Sequence, residues 1–413
     1  MGQEQIHQPF QLVADGSITT PQGFRAGGLH CGLKKTTRYD LGAIVCEVPA
    51  AAAGVYTTNV FQAAPLKVTR ESIGADGMLR AVLVNSGNAN ACTGKQGEAD
   101  AYEMRARFAE AISVSADQVA VASTGVIGEN LRMDKVRDGI DRLPAGMNAT
   151  AEGADDFCQA ILTTDLVQKM VCVKLELDGR TVHVAGAAKG SGMIHPNMAT
   201  MLGFVTTDAC IGGEALQGLL RRATDLTFNM ITVDGDTSTN DMLVAMASGL
   251  AGNDELTSEH KDWAAFEAAL RYVCEVLAKA IARDGEGATK LVEVKVRGAV
   301  SDESASAIAK TIVGSSLVKS AAFGADANWG RIIAAAGRAG EPINPDTVDI
   351  AIGDIVTLTQ SRPVVFDEEV ALEYLKGDTI HIYVDLHMAD GEATAWGCDL
   401  TYDYVRINAA YRT

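Results

Sequence analysis

Short apolar runs alternate with amphipathic helical stretches along the whole chain, and that alternation restricts it to a mixed α/β architecture. Residues 81–85 form one apolar run, closed by the turn-rich Ser86-Gly87-Asn88. Residues 119–122 form another, ending in Ser123-Thr124-Gly125. Residues 169–175 and 181–185 flank Asp178-Gly179, a favoured hairpin dipeptide, and read as paired strands. Between such runs the apolar residues recur at helical spacing. Met104, Phe108 and Ile112 share one face of residues 98–113, and residues 214–227 repeat the pattern. The strongest stripe is Trp263, Phe266, Leu270, Val273, Leu277 and Ile281, read as core packing in a helix that should stop near Gly285. Farther on, Ile380, Ile382, Val384 and Leu386 alternate with His381, Tyr383, Asp385 and His387, the period of a half-buried strand. A smaller C-terminal α/β domain is placed at residues 290–413.

At 413 residues the chain has room for two to three domains of about 150 residues each. Its 35 basic and 53 acidic residues leave a formal charge of −18, a poor match for a nucleic-acid backbone or an anionic membrane surface. None of the eight cysteines forms a C-x-x-C pair, and several sit in apolar runs, so they read as small buried residues of a reducing compartment. The first residues lack the basic and apolar stretches of a signal peptide, and no apolar run approaches the ~18 residues of a membrane span. The expected location is cytoplasmic.

Several motifs fail. There is no G-x-x-x-x-G-K-[ST], and Lys189-Gly-Ser-Gly192 lacks the third glycine of a dinucleotide fingerprint. The run from Asp234 opens like a calcium loop but has Thr239 and Ala245 where the loop needs Gly and Glu. No histidine pair has helical metal-ligand spacing, and no metal is expected.

The unusual stretch is Lys189-Gly-Ser-Gly-Met-Ile-His195-Pro-Asn-Met-Ala199-Thr200, followed by the apolar residues 201–205. A hydroxyl residue thus stands at the entry to a buried strand after a small, turn-forming approach. Thr200 is either a β-former at a loop-to-strand junction or an internal nucleophile. In the second case its hydroxyl attacks the preceding carbonyl, an N→O acyl shift follows, and ester hydrolysis cuts the chain. The freed α-amine, with a pKa of about 7.7–8.0, can then serve the hydroxyl as general base.

Six separated motifs occur in one order: Asn85-Ser-Gly-Asn-Ala-Asn-Ala-Cys-Thr-Gly94, Ser123-Thr-Gly-Val-Ile-Gly-Glu129, the stretch ending at Thr200, Asp234-Gly-Asp-Thr-Ser-Thr-Asn-Asp241, Asp284-Gly-Glu-Gly-Ala-Thr-Lys290, and residues 408–413. With them the chain resembles, end to end, the ornithine acetyltransferases, the ArgJ family of arginine biosynthesis.

The resemblance implies a precursor that cuts itself between Ala199 and Thr200, giving an α chain of residues 1–199 and a β chain of 200–413. The β chain then comprises residues 200–289, carrying the nucleophile, and the C-terminal domain at 290–413. It implies layered sheets flanked by helices, like those of self-cleaving amidohydrolases. It implies acetyl transfer from N2-acetylornithine to glutamate through acetyl-Thr200, with Thr124 and Gly125 as the oxyanion pair. The implied substrate-binding positions are Thr163, Lys189, Thr200, Glu286, Asn408 and Thr413; Thr164 competes with Thr163. Asn408 and Thr413 require a docked tail, for which Val405, Ile407 and Tyr411 are the expected anchors. No cofactor is implied, though some members also take acetyl from acetyl-CoA as a substrate. The implied assembly is a heterotetramer of two α and two β chains. The alternative on the same chemistry is a self-processed aminopeptidase or amidase that passes its acyl group to water.

Overall fold

The computed structural model describes residues 8–195 and 201–410. Ala199, Thr200, Tyr411 and Thr413 lie outside the described residues. Among those described, the strands form two sheets.

The larger sheet takes β1 (Gln11–Leu12), β2 (Phe24–Leu29), β3 (Leu41–Tyr56), β4 (Met78–Asn88), β5 (Val119–Val126), β6 (Lys169–Leu177), β7 (Arg180–Lys189) and β8 (Leu202–Thr207). After β9 (Ile231–Thr232), which belongs to the other sheet, β10 (Met242–Ala247) completes it. The order is β1-β6-β7-β8-β10-β3-β4-β5, with β2 on β3. The long strand β3 joins its two halves. Residues 41–45 of β3 pair with β2 and β4, whereas residues 51–56 pair with β10, and the β3–β4 register shifts between them.

Both faces of this sheet are buried, so its strands read as continuous apolar runs. In β8, Leu202 and Phe204 enter one core cluster and Val205 enters another; in β10, Met242, Val244 and Met246 oppose Leu243, Ala245 and Ala247. The inner cluster also takes Val82 and Val84 from β4 and Phe157 from α4 (Ala151–Ile161). Outside it, α2 (Gly94–Ala111) and α3 (Met133–Gly146) supply Met104, Phe108, Val136 and Ile140 against β3, β4 and β5. On the other side lie α5 (Gly213–Leu226) and α6 (Trp263–Arg283). Along α6 the stripe from Phe266 to Ile281 is almost wholly buried, and Trp263 partly so. The helix α1 (Ala64–Asp76) lies over β5, its Thr69 and Ser72 hydroxyls donating to the carbonyls of Val121 and Val119.

The second sheet runs β14-β13-β12-β15-β11-β16-β9, with β11 (Leu291–Ala299), β12 (Asp349–Ile352), β13 (Ile355–Thr359), β14 (Arg362–Pro363), β15 (Thr379–Asp385) and β16 (Gly391–Cys398). The helices α7 (Asp302–Val313), α8 (Ser316–Phe323), α9 (Trp329–Gly337) and α10 (Glu368–Leu375) accompany it, and α11 (Tyr402–Ala409) follows. In β15, Ile380, Ile382 and Val384 are buried while Tyr383 is exposed, as the alternation predicts.

Of the expected anchors in α11, Val405 does not serve: it is 64% exposed. Ile407 is half-buried, and Tyr411 lies outside the described residues. Tyr402 packs edge-on against Phe323 of α8, 5.8 Å between ring centroids. Thr401 caps the helix through the Tyr404 N–H and donates to the Gly287 carbonyl.

Candidate active site

A cavity of about 270 Å³ opens where β5 and β7 end and where β8 and β10 begin. Thr124, Gly125, Thr163, Lys189, Glu286 and Asn408 all line it, although they come from segments as distant as β5 and α11. Thr164 lines it too, so both candidate threonines face the same space. Met201, the residue after Thr200, is part of the wall.

The strand ladder sets this convergence. Lys189 is paired with Leu202 across β7 and β8, and Met242 is paired with Leu202 across β8 and β10. The Met242 N–H donates to the Met201 carbonyl at 3.1 Å. The segment before β8 is also tied on its other side. Asp234 accepts from the N–H groups of Met193 and Ile194, and Thr237 donates to the His195 carbonyl. The calcium-like loop therefore acts as a clamp, its first carboxylate spent on backbone N–H groups.

Lys189 is 7% exposed, and its ammonium donates to Thr163 Oγ1 at 2.7 Å and to Thr124 Oγ1 at 3.4 Å. Each of those hydroxyls accepts from the ammonium and keeps its own proton to donate elsewhere. Burial lowers the Lys189 pKa, opposed chiefly by the Asp165 carboxylate.

Gly125 has φ of 134°, a backbone conformation that side chains resist, and a Cβ there would fall 2.3 Å from the Gly87 carbonyl carbon. The strand end can pack this closely on β4 only as glycine. Asn240 holds the approach from the other side, its amide donating to the carbonyls of Ala89 at 2.6 Å and Ser123 at 2.8 Å. Ser123 Oγ in turn donates to Asn85 Oδ1 at 2.5 Å. The motif beginning at Asn85 thus buttresses the wall, whereas Ser238, Asn240 and Asp241 are lining residues that sequence reasoning left unassigned.

Glu286 lines the same cavity as the ammonium. Its carboxylate accepts from Asn408 Nδ2 at 2.8 Å, and its backbone N–H donates to the Ser191 carbonyl. The cavity therefore presents a cation and an anion to one occupant, with the hydroxyls of Thr124 and Thr163 beside the cation. That suits a zwitterionic amino acid and a reaction that develops negative charge on oxygen.

The sequence pattern that defines the ArgJ family matches residues 25–413. The arginine biosynthesis bifunctional protein ArgJ of Geobacillus kaustophilus is 62% identical over 401 residues, covering 97% of each chain. The protein of the same name from Bacillus subtilis is 54% identical over 409 residues, covering 99% of this chain and all of the relative. A crystal structure of the ArgJ protein of Bacillus halodurans is 64% identical to this chain, with a TM-score of 0.50. It is covered over 98% of its own length by 50% of this chain. Among the described residues, no helix is long and apolar enough to cross a membrane.

Proposed function

The chain belongs to the ArgJ family, and on that premise we propose that it transfers acetyl from N2-acetylornithine to glutamate through an ester on Thr200. The observation that carries the reading is the single cavity in which Lys189, Glu286 and the Thr124-Gly125 pair meet beside Met201. The precursor cuts itself between Ala199 and Thr200. A solved relative whose chain is matched by half of this one supports a division into two chains.

The Thr200 α-amine takes the proton of its own hydroxyl as the oxygen attacks the acetyl carbonyl. Thr124 and the Gly125 N–H hold the oxyanion. Collapse breaks the amide bond, the proton passes to the departing nitrogen, and ornithine leaves. Glutamate enters with a neutral amine, attacks the ester through a second oxyanion, and departs as N-acetylglutamate while the hydroxyl is restored. Splitting one amide exchange into two ester steps gives ping-pong kinetics and requires no cofactor. Lys189 binds the substrate carboxylate and Glu286 the ornithine ammonium, with Thr163, Asn408 and Thr413 completing the site.

The acting form is a heterotetramer of two α and two β chains in the cytoplasm. Acetyl-CoA serves as a second acetyl donor to glutamate.

An acceptor assay separates transfer from hydrolysis. With N2-acetylornithine and glutamate, N-acetylglutamate should form in step with ornithine. Ornithine release with free acetate, unaffected by glutamate, would instead mark an amidase. Acetyl-CoA and glutamate alone should also yield N-acetylglutamate; no product above background would remove the second donor.

A further inference from the structure

Behind the cavity wall lies a buried ion cluster with no role in the chemistry above. Asp165 sits in the turn between α4 and β6 with its carboxylate fully buried. Its Oδ1 accepts from Lys169 Nζ at 2.8 Å and from the Gly190 N–H at 2.6 Å. Its Oδ2 accepts from the Thr163 N–H at 3.0 Å and stands 3.9 Å from Lys189 Nζ. Lys169 is itself fully buried and also donates to Asp284 Oδ2 at 2.6 Å. Asp284 accepts from the N–H of Leu166 at 3.1 Å, and its carbonyl accepts from Ser191 Oγ at 2.7 Å.

A buried ammonium needs a counter-charge to remain protonated, yet a carboxylate in direct contact would occupy the hydrogens that a substrate needs. The cluster resolves this conflict by distance. At 3.9 Å the Asp165 carboxylate acts on Lys189 by charge without taking one of its hydrogen bonds, while Lys169 and the two backbone N–H groups hold it back. Burial would raise the Asp165 pKa, but the Lys189 and Lys169 ammonium groups hold it well below the usual carboxylate range. The other charged groups acting on Lys189 are Lys169, Asp241, Glu286 and Lys34.

We propose that Asp165, held off by Lys169 and Asp284, is the positioning residue that keeps the Lys189 ammonium charged and open toward the cavity. The same cluster links the segments that carry Thr163, Lys189 and Glu286, so it also sets their spacing. The kinetic consequence rests on the acetyl-transfer reading; the charge state of Lys189 does not.

The test is Asp165→Asn in the full, processed chain. With N2-acetylornithine and glutamate, kcat/KM should fall roughly ten- to a hundredfold, the worth of one charge-assisted hydrogen bond, and its alkaline limb should move to lower pH. Lys189 is labelled in parallel with trace acetic anhydride and read by peptide mass spectrometry. Only the neutral amine reacts, so labelling of the variant should begin at lower pH than in the unaltered protein. Coincident labelling curves with unchanged kcat/KM would overturn the proposal. If even the unaltered protein transfers no acetyl, the functional reading fails while the labelling curves still decide the role of Asp165. If Asp165→Asn does not fold, Asp165→Glu keeps the charge but brings it one methylene closer to Lys189. KM for both substrates should then rise with the labelling curve in place, and an unchanged KM would overturn the proposal.

Discussion

The Glu286 carboxylate rests directly on Gly192: a Cβ at position 192 would lie 2.4 Å from the carboxylate carbon. The glycine-rich approach to the Thr200 motif therefore makes room for the anion that shares the cavity with Lys189.

Gly192→Ala should consequently displace Glu286 and its Asn408 contact. The clash falls on the end of a flexible side chain, so the fold should survive with little change in Tm. Turnover of N2-acetylornithine should fall roughly tenfold or more in kcat/KM, on the scale of one lost charged hydrogen bond. Unchanged kinetics would show that Glu286 does not touch the substrate.

Thr124→Val keeps the shape of the wall and removes one hydroxyl. If that hydroxyl stabilises the oxyanion, kcat should fall by about 10²–10³ while KM moves little. A rise in KM at constant kcat would reassign Thr124 to substrate binding.

The fold was legible wherever one residue type repeats at a fixed period. The hairpin about Asp178-Gly179 is built from β6 and β7, and the stripe after Trp263 lies on α6, which ends at Arg283. The ion cluster was not legible. Lys169 and Asp284 are separated by 115 positions, and nothing in the local sequence of either, one opening a strand and the other a motif, points to the other. Val405 misled for the opposite reason: an apolar residue near the terminus reads as an anchor, but α11 turns it outward, with Thr401, Asn408 and the ring of Tyr402 making the contacts.

His195 gives the fold an acid-side dependence. Its Nδ1 lies 3.0 Å from Thr232 Oγ1; burial, helped by the Lys310 ammonium, lowers its pKa from 6.5 to about 4. The unfolded chain binds this proton before the folded one does. The contribution to stability is therefore complete above pH 6.5 and is lost as pH falls toward about 4. His195→Gln should flatten part of the decline in Tm across that window. An unaltered slope would mean that His195 takes its proton at the same pH in both states.

Thr200→Ala should yield an uncut chain with no acetyl transfer, because the same oxygen is assigned to both reactions. Cleavage at the Ala199–residue 200 bond in that variant would assign self-cleavage to another group.

The central claim is the acetyl ester on Thr200, and the denaturing intact mass of the protein mixed with N2-acetylornithine, glutamate withheld, tests it most directly. Two chains should appear in place of one of 43.4 kDa. The one beginning at Thr200 should be heavier by a single acetyl group, and that group should vanish when glutamate is added. An acetyl group on any other residue, or a single uncut chain that still transfers acetyl, would contradict it.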